Sequence, residues 1–156
     1  MSDGLKVGDA APDFDLPTDG GGRVALSALK GQSVVVYFYP KDDTPGCTNE
    51  AKGFTEAAAA FKAAGAVVIG VSKDTAAKHD RFKAKYDLDL ILGADIDGKV
   101  IEAYGVWVEK SLYGRQYMGI ERATFLIGPD GRIQQVWRKV KVAGHAAAVL
   151  QAVKAD

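Results

Sequence analysis

Cysteine is almost absent from this sequence: Cys47 stands alone, and one thiol forms no internal disulfide. A disulfide-stapled secreted fold is therefore excluded. No excess of either charge is present, since lysine plus arginine number 20 and aspartate plus glutamate also number 20. With no long basic run either, no nucleic-acid or acidic-membrane partner is expected. The longest apolar runs, Ser33 to Tyr39 and Ala64 to Val71, fall far short of the roughly 20 residues that cross a bilayer. Met1-Ser-Asp-Gly-Leu-Lys lacks a basic start followed by an apolar stretch, so no secretory signal is read and a reducing cytosol is the expected location. Histidine is scarce too. His79 and His145 fall in helical patterns without a partner at metal-ligand spacing, so both are expected at the surface and no metal is expected. Gly20-Gly-Gly has no following lysine or helix and reads as a hairpin turn rather than a phosphate loop, and no cofactor is expected.

What is present is the profile of one soluble globular domain over 1–156, with 47% apolar and 26% charged residues. Phe14 to Leu26 reads as a hairpin of two short strands about a glycine-rich turn. Val34-Val-Val-Tyr-Phe-Tyr and Ala66-Val-Val-Ile-Gly-Val-Ser are β-branched runs suited to strands buried on both faces. Between them, Pro45 to Ala64 is alanine-rich and helical. Helical patterns also cover Thr75 to Tyr86 and Gly144 to Val153, and Thr124 to Trp137 reads as a hairpin turning at Pro129-Asp-Gly. Strands followed by helices predict a three-layer α/β fold with a central mixed sheet.

The chemistry gathers at Tyr37-Phe-Tyr-Pro-Lys-Asp-Asp-Thr-Pro-Gly-Cys-Thr. Thr44 followed by Pro45 is a strong helix-start signal, which puts Cys47 in the first turn. Free N–H groups and the helix dipole favour an anion there, so the reactive thiolate is favoured. Thr44 lies close enough for its hydroxyl to reach the sulfur or a bound oxygen. Cys47, Ala51, Phe54, Ala58 and Phe61 share one inward helical face, which suits an inert core cysteine as well as a pocket floor. The residues alone leave both readings open.

Pro40-x-x-x-Thr44-x-x-Cys47 after a buried aromatic strand resembles the active-site signature of the peroxiredoxins. The longer string is similar to the Q-type branch, the bacterioferritin comigratory proteins. Val7-Gly-Asp-Ala-Ala-Pro-Asp-Phe, Tyr104-Gly-Val-Trp and Ile120-Glu-Arg-Ala-Thr-Phe-Leu-Ile match in order and spacing. The resemblance implies a thioredoxin-like fold with an N-terminal β-hairpin and a thiol peroxidase. It also implies that Cys47 attacks hydrogen peroxide or an organic hydroperoxide and becomes a sulfenic acid. By the same resemblance, Arg122 is the active-site arginine, Thr44 holds the peroxide, Pro40 shields the sulfur and Glu50 pairs with Arg122. Trp107, with Tyr113 and Tyr117 in the following loop, is expected either at an apolar pocket rim or in ordinary packing; Arg115 is expected as a surface charge.

The chain departs from many Q-type members at the resolving cysteine, because the corresponding positions hold Lys52 and Lys83. A single-cysteine cycle follows, in which an external thiol (thioredoxin, glutaredoxin with glutathione, or a small thiol) reduces the sulfenic acid. The alternative is a peroxide sensor that passes oxidation to a partner protein as a mixed disulfide. Q-type relatives are often monomeric, so a monomer is expected, with a dimer as the alternative.

Overall fold

The computed structural model describes residues 5–155. The chain opens with an antiparallel hairpin, β1 (Asp15–Pro17) and β2 (Arg23–Ala25). Gly20 and Gly21 turn it at φ of 75° and 76°, a conformation that costs glycine little. The run that begins at Ser33 then forms β3 (Ser33–Phe38), the middle of the main sheet. Its last five residues are almost fully buried, because helices cover one face and the hairpin covers the other.

Two consecutive helices, α1 (Pro45–Glu56) and α2 (Ala58–Ala63), carry the chain back to β4 (Ala66–Ser72). β4 lies parallel to β3, and a parallel pair needs such a crossover. The helix expected from Pro45 to Ala64 is therefore two helices, with Ala57 between them at φ −95° and ψ 5°. α3 (Ala76–Tyr86) leads to β5 (Ile91–Ala94), and α4 (Lys99–Ala103) follows. β6 (Trp107–Leu112) and β7 (Arg115–Ile120) make a separate hairpin. β8 (Ala123–Ile127), β9 (Ile133–Trp137) and α5 (His145–Lys154) complete the fold.

The main sheet has the order β5-β4-β3-β8-β9, parallel across its first three strands and antiparallel beyond. This is the thioredoxin-like arrangement, a mixed sheet between two layers. Alternate residues of β3 divide the core. Val34, Val36 and Phe38 face Phe14, Leu16, Ile101 and Tyr104, under the N-terminal hairpin and α4. Val35, Tyr37 and Tyr39 face Cys47, Phe54, Phe61, Phe82 and Val149, under α1, α2, α3 and α5. The sulfur thus belongs to the helical side of the sheet.

The segment after Trp107 differs from the expected loop. Its two strands are joined by Tyr113 and Gly114, both at positive φ (52° and 77°), as a tight two-residue hairpin turn requires. Most of its side chains are solvent-exposed, which left little hydrophobic alternation to read.

Both histidines also depart from expectation, being buried rather than at the surface. His79 faces inward from α3, with Nδ1 2.6 Å from Asp42 Oδ2 and Nε2 3.0 Å from the Gly93 carbonyl. His145 opens α5 with Nε2 2.7 Å from Thr124 Oγ1, packed edge-on against Phe54 and Trp137. Burial, and then the Arg122 charge, push the His145 imidazole down to about 4, so it is neutral at physiological pH.

Candidate active site

β3 delivers the chain to the site. After Phe38 the backbone runs through Tyr39 and an exposed Pro40 into the loop that opens α1. Thr44 is the N-cap residue and Pro45 the first helical residue, which places Cys47 in the first turn as expected. The Thr44 hydroxyl does not cap the helix; it donates to the Lys41 carbonyl at 2.9 Å. The first-turn amides are therefore not capped by Thr44. Cys47 itself is 2% exposed and free.

Arg122 reaches this sulfur from the other side of the sheet register. β8 pairs antiparallel with β3 so that Ala123 lies opposite Phe38, and Arg122 therefore stands level with the strand end from which the Cys47 loop departs. Its Nη2 donates to Cys47 Sγ at 3.4 Å, and its Nη1 donates to Glu50 Oε1 at 2.6 Å. One guanidinium thus bridges nucleophile and carboxylate, one helical turn apart on α1. Gly46 makes room for it: a Cβ there would lie 3.1 Å from Arg122 Nη2. A glycine inside a helix costs about 1 kcal/mol against alanine. That oddity was the one sequence signal for Gly46, which sequence reasoning passed over.

The electrostatics are set by burial. Glu50 Oε2 is buried without a hydrogen-bond donor among the described residues. Desolvation raises the Glu50 carboxyl to about 7, against the opposing pull of Arg122. Beneath lies Tyr37, missed by sequence reasoning because it reads as one more core aromatic. Its ring stacks on Phe54 at 4.7 Å and crosses bare Gly70, where a Cβ would stand 2.7 Å from Tyr37 Cζ. Burial, then the Glu50 and Cys47 charges, hold the Tyr37 phenol well above its ordinary value, so it stays neutral.

The loop between Pro40 and Thr44 is tied to α3 by two adjacent aspartates. Asp42 accepts from Tyr39 Oη and meets His79, while its N–H donates to Asp74 Oδ2 at 2.8 Å. The Gly93 carbonyl can only accept, so His79 Nε2–H donates to it while Nδ1 faces Asp42. Asp43 holds a left-handed backbone, φ 60°, and binds Lys85 Nζ at 2.8 Å and the Tyr86 hydroxyl.

Of the two placements expected for Trp107, pocket rim or ordinary packing, the structure shows packing. Trp107 packs against the hairpin-side core and under Lys73 Nζ, 4.6 Å from its ring, on the opposite side of the sheet from the Cys47 cluster. Tyr113 occupies the tip of the β6–β7 turn at 99% exposure. Neither is brought to the sulfur. Arg115 is exposed in β7. Among the described residues no group of three or more histidine, cysteine or carboxylate side chains is arranged to hold a metal. No helix among them is long and apolar enough to cross a membrane.

A first-turn cysteine bridged by arginine to a carboxylate, on a thioredoxin-like sheet, defines a cysteine-based redox site. The chain belongs to the AhpC/TSA family, whose model matches residues 7–136, and within it to the peroxiredoxin Q (Bcp) branch. It is 49% identical over 150 residues to peroxiredoxin Bcp of Bacillus subtilis, covering 96% of each chain. Peroxiredoxin Bcp of Escherichia coli is 45% identical over 150 residues, again across 96% of each. Among solved structures, the bacterioferritin comigratory protein of Xanthomonas campestris superposes with a TM-score of 0.89 at 47% identity, covering 97% of this chain and 96% of that one. Peroxiredoxin Q of Xylella fastidiosa gives 0.93 at 40% identity, covering 99% and 98%.

Proposed function

We propose that this chain is a thiol-dependent peroxidase running a single-cysteine cycle. The Cys47 thiolate attacks one peroxide oxygen, an S–O bond forms, the O–O bond breaks, and hydroxide or alkoxide leaves. Cys47 becomes a sulfenic acid, and an external thiol returns it to the thiol. The observation that carries this reading is the Arg122 guanidinium held 3.4 Å from the sulfur by Glu50. A fixed donor there meets charge as it develops on the departing oxygen, in a site that excludes water.

Thr44 fits the substrate-holding role in one sense only. Its proton is engaged by Lys41, so Oγ1 accepts the peroxide's O–H rather than donating to it. Pro40, exposed just before the loop that opens α1, offers no N–H to water. The alkyl peroxide reduction activity of the Xanthomonas protein supports organic hydroperoxides as substrates beside hydrogen peroxide. A lone thiol that must be reduced after each turnover suits a reducing cytosol.

Turnover tests the reading. With excess small thiol, the native chain consumes many equivalents of hydrogen peroxide and Cys47→Ser consumes none. Consumption of about one equivalent by the native chain indicates the sensor instead, and substantial turnover by Cys47→Ser refutes the mechanism.

A further inference from the structure

We infer that the β6–β7 hairpin is the docking surface for the protein that reduces Cys47. That partner is a dithiol protein presenting an apolar centre ringed by carboxylates. The inference rests on the single-cysteine reading and deepens it, naming the class of reductant and where it sits.

Six large apolar side chains are exposed among the described residues, and four of them, Leu112, Tyr113, Tyr117 and Met118, belong to this one hairpin. An exposed apolar cluster marks an interaction surface, which scattered single residues do not. Among the described residues β6 and β7 pair with no further strand, so both outer edges are open. A lone two-stranded ribbon is marginally stable in water, and a covering partner offsets that. Trp107 and Ile120 anchor its base on the core, but every residue from Ser111 to Met118 is exposed. A projecting ribbon has no walls to enclose a small molecule, whereas a protein surface can cover it.

Cross-strand partners share a face, so the register sorts the hairpin. Lys110 opposite Tyr117 and Leu112 opposite Arg115 lie on one face. Lys110 and Tyr117 converge over bare Gly119, where a Cβ would stand 3.2 Å from Lys110 Cδ and 3.3 Å from Tyr117 Cε2. Glu109, the only acid within the two strands, sits on the other face opposite Met118. Glu121, just past β7, is held by Arg138. The first face is therefore apolar and cationic. A second copy docking by that face would set Lys110 and Arg115 against their own kind, like charge to like. A partner with carboxylates around an apolar centre complements it.

The hairpin and the sulfur's loop leave the main sheet at the same end. β7 runs through Ile120 and Glu121 into Arg122 and β8, whose Ala123 lies opposite Phe38, the last residue of β3. Arg122 Nη2 stands 3.4 Å from the sulfur. From Tyr117 to Arg122 the chain spans about 17 Å at most, even fully extended. An ordinary interface covers about 800 Å² on each partner, a patch about 30 Å across. A protein seated on Tyr117 thus also covers the ground to Arg122 and the sulfur. The lone cysteine needs such a visitor, since the chain holds no second thiol.

The chemistry balances. A partner thiolate attacks the Cys47 sulfenic sulfur, an S–S bond forms, the S–O bond breaks, and hydroxide leaves to become water. The partner's second thiol attacks the partner sulfur of this mixed disulfide, releasing the Cys47 thiolate and an oxidised partner. Two thiols are oxidised as one sulfenic acid is reduced.

The test uses the full chain oxidised with one equivalent of hydrogen peroxide, its sulfenic acid confirmed by trapping and mass spectrometry. Reduction rates are measured with an acidic thioredoxin and with dithiothreitol, a small neutral dithiol. On the native chain thioredoxin should be the faster at equal concentration, and only its rate should fall as salt rises. Tyr113→Asn/Tyr117→Thr uses residues suited to a left-handed turn and to a strand. That double variant should slow thioredoxin about tenfold or more and leave dithiothreitol unchanged. Arg115→Glu should slow thioredoxin about threefold or more at low salt, with the deficit shrinking as salt rises. Dithiothreitol reads the same sulfur in the same preparation, so a folding defect moves both rates. A thioredoxin rate that the variants leave intact, equal changes in the two rates, or a native chain that prefers dithiothreitol each overturns the inference. So does a concentration-dependent dimer, or binding to anionic lipid vesicles, that the double variant abolishes. Failure to form the sulfenic acid at all refutes the peroxidase reading instead.

Discussion

Glu50→Gln isolates the energetic consequence of burying a carboxylate at the heart of this site. Glutamine keeps the size of the side chain and an acceptor for Arg122 Nη1, but removes the charge. In the native chain the Glu50 carboxyl rises from 4.5 unfolded to about 7 folded, chiefly because burial penalises its ionised form. A raised folded value means that stability is fully present below pH 4.5 and is lost as pH climbs toward 7. At about 1.36 kcal/mol for each pH unit between those values, the whole cost is about 3 kcal/mol, of which about 2.5 kcal/mol accrues between pH 5 and pH 8. Glutamine does not titrate, and Arg122 stays charged throughout, so loss of the ion pair adds only a constant offset. Urea unfolding of the reduced native and Glu50→Gln chains at pH 5, 6, 7 and 8 measures the difference. The variant should gain about 2.5 kcal/mol on the native chain across that window. A gap constant within about 0.5 kcal/mol would refute the claim that burial dominates Glu50.

Other substitutions probe the remaining parts. Arg122→Ala should slow sulfenic acid formation at least about tenfold, equivalent to about 1.4 kcal/mol of transition-state stabilisation, in stopped-flow mixing with hydrogen peroxide; an unchanged rate removes Arg122 from the mechanism. His79→Leu leaves Asp42 buried without its partner and should cost about 3 kcal/mol in urea unfolding, while His79→Asn, which can keep an N–H toward Asp42, should recover part of it. Gly70→Ala drives a methyl to 2.7 Å from Tyr37 Cζ and should cost about 1–3 kcal/mol. Adding Tyr37→Leu should return most of that loss, and additive losses would show that the two residues do not collide.

Local pattern determined a good deal of this protein. Buried β-branched runs became β3 and β4, since such residues have few other ways to hide on both faces. Thr44-Pro45 opened α1, and the spacing of Cys47, Ala51, Phe54 and Phe61 turned the sulfur inward, as the backbone's own periodicity dictates. The lone cysteine also determined that no internal disulfide closes the cycle. Where exposed residues dominate, as in β6 and β7, the pattern was too faint to distinguish hairpin from loop.

Only the tertiary structure decided the rest. The two histidines looked like polar residues on amphipathic helices; burial partners 37 and 21 residues away in sequence took them inside. The Thr44 hydroxyl went to the Lys41 carbonyl rather than to the helix amides. Arg122, 75 residues from Cys47, meets it through the antiparallel register that sets Ala123 opposite Phe38. A slip of one residue in that pairing would point the arginine to the other face of the sheet. Residue types supplied a nucleophile, a cation and a carboxylate; the strand register made them one site.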